Sequence, residues 1–335
     1  MQKVKMKEGF YKIRGKDVDM MGMVFPLVNE FKVGAGGGYV TVDGTAVAGF
    51  PDRNIKIKCE SPSSYELVDS SVATTTREET DEETIERMRE RFDMLEDMTK
   101  ACKRGDVRAM IVSGPPGVGK SHGVEKVLGK HDLIADIAGV PSKYQVVKGA
   151  MSAIGLYCKL FNYADKDNVL VFDDCDSVFS DELSLNILKA ALDSKKNRTI
   201  HWNTDSFKLR NEGVPDSFTF KGSAIFITNI KFDNVKSKKM RDHLTALESR
   251  CHYIDLTIDT DREKMLRIKQ ITEDGMLDSY ELGEEVVQDI VDFIDINKTK
   301  LRELSLRTVL KVADLAKAFP TKWEAMAENT VMSRA

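Results

Sequence analysis

Cysteine is scarce in this chain: five among 335 residues, at Cys59, Cys102, Cys158, Cys175 and Cys251. They are scattered, odd in number and free of CxxC spacing, which excludes a disulfide framework or a cysteine-built zinc site and fits a reducing compartment. Long apolar runs are missing as well, since none approaches the roughly 18 residues of a spanning helix. The stretch Met20–Val28 is apolar and follows basic residues. It starts late, contains Pro26 and runs into Asn29-Glu30 without a small-residue cleavage site, so no signal peptide is expected. Neither sign of charge dominates: Lys+Arg is 50 against Asp+Glu 54, a formal net charge of -4. A bulk electrostatic grip on nucleic acid is thereby disfavoured, while a local basic patch stays open. What is present is a globular composition, 41% hydrophobic and 31% charged. At roughly 150 residues per domain the length allows about two domains. The expectation is a soluble protein with no membrane partner.

Texture changes along the chain, without an internal repeat. Residues 1–75 are rich in Gly and β-branched residues, with alternating runs such as Tyr39-Val40-Thr41-Val42 and Ile55-Lys56-Ile57-Lys58. They predict a small β-rich domain, with Gly34-Ala35-Gly36-Gly37-Gly38 as a hairpin tip rather than a phosphate loop, because no helix pattern follows it. Ser70–Thr76 predicts a linker. From Thr80 to Lys100, Ile85, Met88, Phe92, Leu95 and Met98 recur every three or four residues, one stripe of an amphipathic helix. From about 104 to 258 short apolar strands alternate with helix patterns, the signature of a parallel α/β sheet, so that 76–258 is expected to form one α/β core. Expected strands are Ala109–Ser113, Tyr144–Val147, Val169–Phe172, Ala224–Thr228 and Tyr253–Leu256. Residues 259–335 read as helical, with patterns at Arg262–Ile271, Gly283–Ile294 and Ser305–Ala318.

The strongest motif is Gly114-Pro115-Pro116-Gly117-Val118-Gly119-Lys120-Ser121, a full GxxxxGK[ST] match between an apolar strand and a helix pattern, followed by His122. Its glycines let backbone N–H groups converge on phosphate oxygens, and the helix N-terminus adds partial positive charge. Lys120 can reach the β- and γ-phosphates, and the Ser121 hydroxyl can ligate Mg²⁺. A second element comes from Val169-Leu170-Val171-Phe172, which ends in Asp173-Asp174. Asp173 is the expected Mg²⁺ holder and Asp174 the group that orients or deprotonates the attacking water. The competing reading makes Asp174, with Asp176 and Asp181, a cap for the helix Glu182–Leu192. Asn229 ends the strand Ala224–Thr228, where its amide can touch both γ-phosphate and water, or simply form a turn.

Together these residues resemble the AAA+ ATPases over a stretch from roughly 80 to 320. GPPGVGKS is similar to the family's Walker A, VLVFDD to its Walker B and FITN to its sensor-1 strand. Ser249-Arg250-Cys251 resembles the SRC motif of clamp-loader subunits, and Ser305-Leu306-Arg307 stands where the sensor-2 arginine usually sits. The resemblance implies ATP and Mg²⁺ as ligands, Arg250 as an arginine finger given to the neighbouring subunit, and Arg307 as a reporter of nucleotide state to the lid. It therefore implies a homo-oligomer, a ring or open spiral with a hexamer among the options. Arg241 is the reserve finger, and a surface salt bridge is the rival role for Arg250. Two departures stand out. Most members follow the Walker B Asp with Glu, where this chain has Asp174, a variant that resembles replication initiators and helicase loaders. Peptide-threading members carry an aromatic pore loop, where this chain has Lys148-Gly149-Ala150-Met151.

The expected architecture is thus a P-loop AAA+ α/β core with a parallel five-stranded sheet, a helical C-terminal lid and a small β-rich N-terminal domain. The expected activity is Mg²⁺-dependent ATP hydrolysis in an oligomer, for loading or remodelling on DNA or on a replication protein. The lid and SRC segments resemble small phage-encoded ATPases, which would place the chain in the host cytoplasm. A remodeller of protein complexes and a nucleotide-gated switch with little turnover are the rival readings. The basic cluster Lys236, Lys238, Lys239 and Arg241 is either a solvated helix face or a nucleic-acid contact.

Overall fold

The computed structural model describes residues 2–13, 16–45, 50, 53–74, 79–139, 141–230, 232 and 235–333; Thr75 and Thr76 of the expected linker lie outside them. The chain divides into two units, Met1–Thr84 and Ile85–Ala335.

Among the described residues the first unit holds seven strands: β1 (Lys3–Met6), β2 (Phe10–Ile13), β3 (Lys16–Asp19), β4 (Val24–Gly34), β5 (Gly37–Asp43), β6 (Asn54–Lys58) and β7 (Tyr65–Val68). They form one sheet in the order β3-β2-β6-β5-β4-β1-β7, antiparallel at every pairing. Period-two alternation drives it. In β6, Ile55 and Ile57 are buried while Asn54, Lys56 and Lys58 are exposed. The inward residues join Val4, Met6, Phe25, Val40 and Val42 in a single core. The Gly run turns the chain between β4 and β5, with Gly34 paired to Gly37.

The second unit begins within α1 (Asp81–Lys103), whose apolar stripe buries Met88 and Leu95. Its α/β part then runs β8 (Ala109–Ser113), α2 (Lys120–Ala138), β9 (Tyr144–Lys148), α3 (Ala153–Asn162), β10 (Val169–Asp173), α4 (Ser177–Ser180) and α5 (Glu182–Ala191). It continues through β11 (Thr199–His201), α6 (Phe207–Asn211), β12 (Ser217–Thr219), β13 (Ser223–Thr228), α7 (Lys238–Glu248) and β14 (His252–Asp255). Five strands pair in parallel in the order β14-β8-β13-β10-β9. Every residue of β8, β10 and β13 is buried, as expected of a sheet covered on both faces. Alternate residues feed two cores. Ile111, Leu170, Phe172 and Phe226 meet residues of α3, α5 and α7, while Met110, Val112, Val171 and Ile227 meet Leu95 of α1 and Val124 and Leu128 of α2.

The lid follows as α8 (Asp261–Glu273), α9 (Glu284–Asn297), α10 (Leu306–Ala318) and α11 (Trp323–Val331). A capping box of Thr260 and Glu263 starts α8. Helix α11 and the β11–β12 ribbon have no counterpart among the expected elements. Both are short, and α11 docks chiefly by Trp323, Ala327 and Val331 into the lid core.

Candidate active site

A parallel sheet gathers the carboxyl ends of its strands at one edge, where the next loops converge. Here β8 ends in Ser113 beside Thr228 of β13, and β10 ends in Asp173 beside Ile227. The loop Gly114–Gly119 follows β8, and Lys120 and Ser121 open α2. Two loop glycines have left-handed backbone, Gly117 at φ 71° and Gly119 at φ 100°. At Gly117 a Cβ would stand 2.7 Å from the Cβ of Ser305, so only glycine lets the lid come this close. Leu306 N donates to Gly117 O at 3.0 Å there, joining the loop to the start of α10.

A cavity of about 680 Å³ opens at this edge, lined among others by Gly117, Gly119, Lys120, Ser121, His122, Asp173, Asp174, Asn229 and Arg307. Gly114, Pro115, Pro116 and Val118 do not line it. Val118 instead packs with Met88, Ile258 and Leu266. The carbonyls of Gly114 and Pro115 each accept from Lys120 Nζ at 2.8 Å.

The third Lys120 bond defines the site. Lys120 Nζ donates to Asn229 Oδ1 at 2.8 Å, and Asn229 Nδ2 donates to Asp174 Oδ1 at 3.0 Å. One amide thus links the loop lysine to the second Walker B carboxylate. Burial pulls the Lys120 ammonium down to about 8, against the opposing influence of Asp174, with Arg307 lowering it further. Ser121 Oγ donates to Asp173 Oδ1 at 2.9 Å, and Lys148 Nζ stands 3.3 Å from Asp173 Oδ2 and 2.9 Å from Glu125 Oε1. Lys148 is therefore tied to the site's own carboxylates.

Asp174 is not a helix cap. It sits at φ 52°, its N–H donating to Ile227 O at 3.1 Å. Asp tolerates that left-handed conformation far better than most residues, because its short side chain hydrogen-bonds locally. The backbone thus gives a physical reason for Asp where the AAA+ pattern usually has Glu. Asp181 caps α5 through Ser184 N at 2.9 Å, and Asp176 accepts from Thr228 Oγ1 at 2.7 Å. That last bond pins the end of β13 to the loop after β10, and sequence reasoning missed it.

A hard-oxygen pair, the Ser121 hydroxyl and the Asp173 carboxylate, fits Mg²⁺ held jointly with phosphate oxygens and water. Among the described residues no group of three or more His, Cys, Asp and Glu could hold a metal alone, and this mode of binding requires none. Arg250 does not line the cavity of its own chain. It is half-buried in the turn after α7 and donates to Ala246 O. Arg241 donates to Val235 O through Nε at 3.1 Å and Nη2 at 2.7 Å, and Lys239 pairs with Glu182 at 2.6 Å. The cavity also holds Phe92 and Arg267, for which the sequence pattern gave no functional signal.

No protein-family model matches the chain. A protein of Enterobacteria phage T4, described as an uncharacterized 36.7 kDa protein in the nrdC-mobD intergenic region, is 36% identical over 244 residues, covering 72% of this chain and 73% of that protein. Among solved structures, domain III of the Thermotoga maritima replication initiation protein DnaA matches with TM-score 0.41 and 10% identity, covering 72% of this chain and 91% of that one. S. cerevisiae Hsp104, in its casein complex, matches with TM-score 0.40 and 16% identity, covering 73% of this chain and 40% of that one. Likenesses this distant carry no functional inference. No described helix is long and apolar enough to cross a membrane. Residues similar to Walker A, Walker B and sensor 1 meet at one edge of a parallel five-stranded sheet under a helical lid, and the chain belongs to one family with the phage T4 protein.

Proposed function

We propose that this protein is a Mg²⁺-dependent ATP hydrolase that works as an oligomer, in loading or remodelling within the DNA metabolism of a phage. The bridge Lys120–Asn229–Asp174 carries the reading, because it ties the group that would hold the γ-phosphate to the group that would prepare water. Lys120 exchanges its carbonyl and amide acceptors for β- and γ-phosphate oxygens of the substrate. Asn229 holds the Asp174 carboxylate in place, and Asp174 accepts the proton of the attacking water. Held by Ser121 and Asp173, Mg²⁺ would neutralise charge on the phosphate oxygens. Arg250, offered by the adjacent subunit, and Arg307, from the same chain's lid, meet the charge that develops on the γ-phosphate.

The DNA role rests on the SRC-type segment, and the phage setting on the T4 relative. A nucleotide-gated switch is the second reading, favoured by Lys148 beside Asp173 and by the short carboxylate at 174. Steady-state ATP hydrolysis measured alone, with single-stranded DNA, with duplex DNA and with protein separates them. DNA stimulation is the expected result. Stimulation by protein alone would move the role to protein remodelling, and binding without turnover under every condition would establish the switch.

A further inference from the structure

Phosphate chemistry accounts for Lys120, Ser121, Asp173, Asp174 and Asn229, and leaves one buried charge in the cavity wall without a use. Arg267, on α8, is 6% exposed. Its Cζ lies 3.5 Å from the ring centroid of Phe92, so the guanidinium covers that face of the ring. Nη1 donates to Gln270 Oε1 at 2.9 Å, whereas Nε is buried with no partner. Asp274 and Asp93 act on it from a distance, but among the described residues neither forms an ion pair with it; Asp274 stands 3.9 Å from Arg89, and Glu263 pairs with Arg87 at 2.6 Å. Burial pulls the Arg267 guanidinium down to about 10, which still leaves it charged at neutral pH. A buried cation with one neutral acceptor is strongly unfavourable unless an anion completes it.

Position decides which anion. Arg267 lines the same cavity as the phosphate loop, and its Nη2 is 3.9 Å from where a Cβ of Gly119 would stand. Backbone N–H groups of such a loop cradle the α- and β-phosphates, while the loop lysine reaches β and γ. The charges acting on the two cations differ accordingly. Lys120 feels Asp174, Arg307, Asp173 and Asp176, the reacting end, while Arg267 feels Asp274, Arg89 and Asp93.

We propose that Arg267 binds the α/β-phosphate portion of the nucleotide, supplying from the first lid helix a counter-charge to the part that ADP and ATP share. The proposal rests on the nucleotide reading of the phosphate loop. It divides the lid's work. Arg267 draws α8 onto any bound di- or triphosphate, whereas Arg307 on α10 is left to report the γ-phosphate.

The test is direct titration of ADP and ATP into the full-length protein and its Arg267→Met and Arg267→Lys variants. Arg267→Met should weaken both nucleotides by the same factor, on the order of tenfold or more, as for a lost charge-assisted contact. Arg267→Lys should recover part of that loss. Unliganded Arg267→Met should be no less heat-stable than wild type, because an uncompensated charge has been removed. If Arg267 merely braces α8 against Phe92, the variant loses unliganded stability and keeps wild-type affinities, which overturns the proposal. A penalty confined to ATP would also overturn it, since the contact would then be to the γ-phosphate. Should Arg267→Met not fold, Arg267→Gln carries the same comparison. Wild-type protein that binds neither nucleotide would refute the phosphate-loop reading itself, and this proposal with it.

Discussion

Lys120→Ala should weaken ATP and ADP binding by on the order of 100-fold or more, equivalent to about 3 kcal/mol or more from one charged hydrogen-bonding group. The side chain is 6% exposed and spends its N–H groups on Gly114 O, Pro115 O and Asn229 Oδ1. Alanine leaves the backbone cradle intact and removes its buried ammonium, so charge at the β/γ end of the nucleotide goes uncompensated. Isothermal titration of both nucleotides into Lys120→Ala and wild type checks it, and undiminished affinity would contradict the loop assignment. The same lysine sets a pH dependence. Burial places its free-state pKa at about 8, and a bound polyphosphate favours the protonated form. Binding should therefore take up protons around pH 8 to 9, and affinity should fall as pH rises above about 8.

Arg250→Ala should leave nucleotide affinity nearly unchanged and lower turnover by two orders of magnitude or more, by comparison with fingers worth roughly 10³–10⁵ in GTPases. Arg250 lies outside its own chain's cavity, in the turn between α7 and β14. A finger placed there acts only on a neighbour. A surface salt bridge would cost about 0–1 kcal/mol of stability and leave turnover alone. Mixing sharpens the test. Lys120→Ala subunits lack nucleotide but offer a finger, and Arg250→Ala subunits bind nucleotide but lack one. Equal mixtures of these two inactive proteins should regain part of the wild-type rate. No recovery in mixtures proven to co-assemble by cross-linking would remove the trans role and shift it to Arg241.

Much of the core was legible because its signals are local. The strands expected at Ala109–Ser113 and Ala224–Thr228 are observed at Ala109–Ser113 and Ser223–Thr228, since continuous apolar runs fit only a sheet buried on both faces. The three lid helices expected by periodicity are all present, with ends shifted by up to three residues. What escaped depends on tertiary placement. Nothing in the sequence marks Asp174 as left-handed, because that conformation is imposed where β10 hands the chain to α4. Thr228 reads as an ordinary β-branched strand residue, yet its hydroxyl anchors Asp176. Arg267 lies within the expected helix Arg262–Ile271 with nothing in the pattern to mark it, and it is buried against Phe92. Lys148, the last residue of β9, is paired with Glu125 and Asp173, a placement that its position in the sequence does not reveal.

The claim that the Lys120–Asn229–Asp174 bridge is a hydrolytic site is tested most directly by phosphate release from saturating ATP, comparing wild type with Asp174→Asn, each with Mg²⁺ and with chelator. Asn keeps the volume and the left-handed backbone of Asp174 while removing the carboxylate that would accept the proton from water. The predicted result is Mg²⁺-dependent turnover in wild type that falls at least tenfold in Asp174→Asn, with ATP affinity retained. Equal turnover in the two proteins, or wild-type turnover that persists without divalent metal, would contradict it.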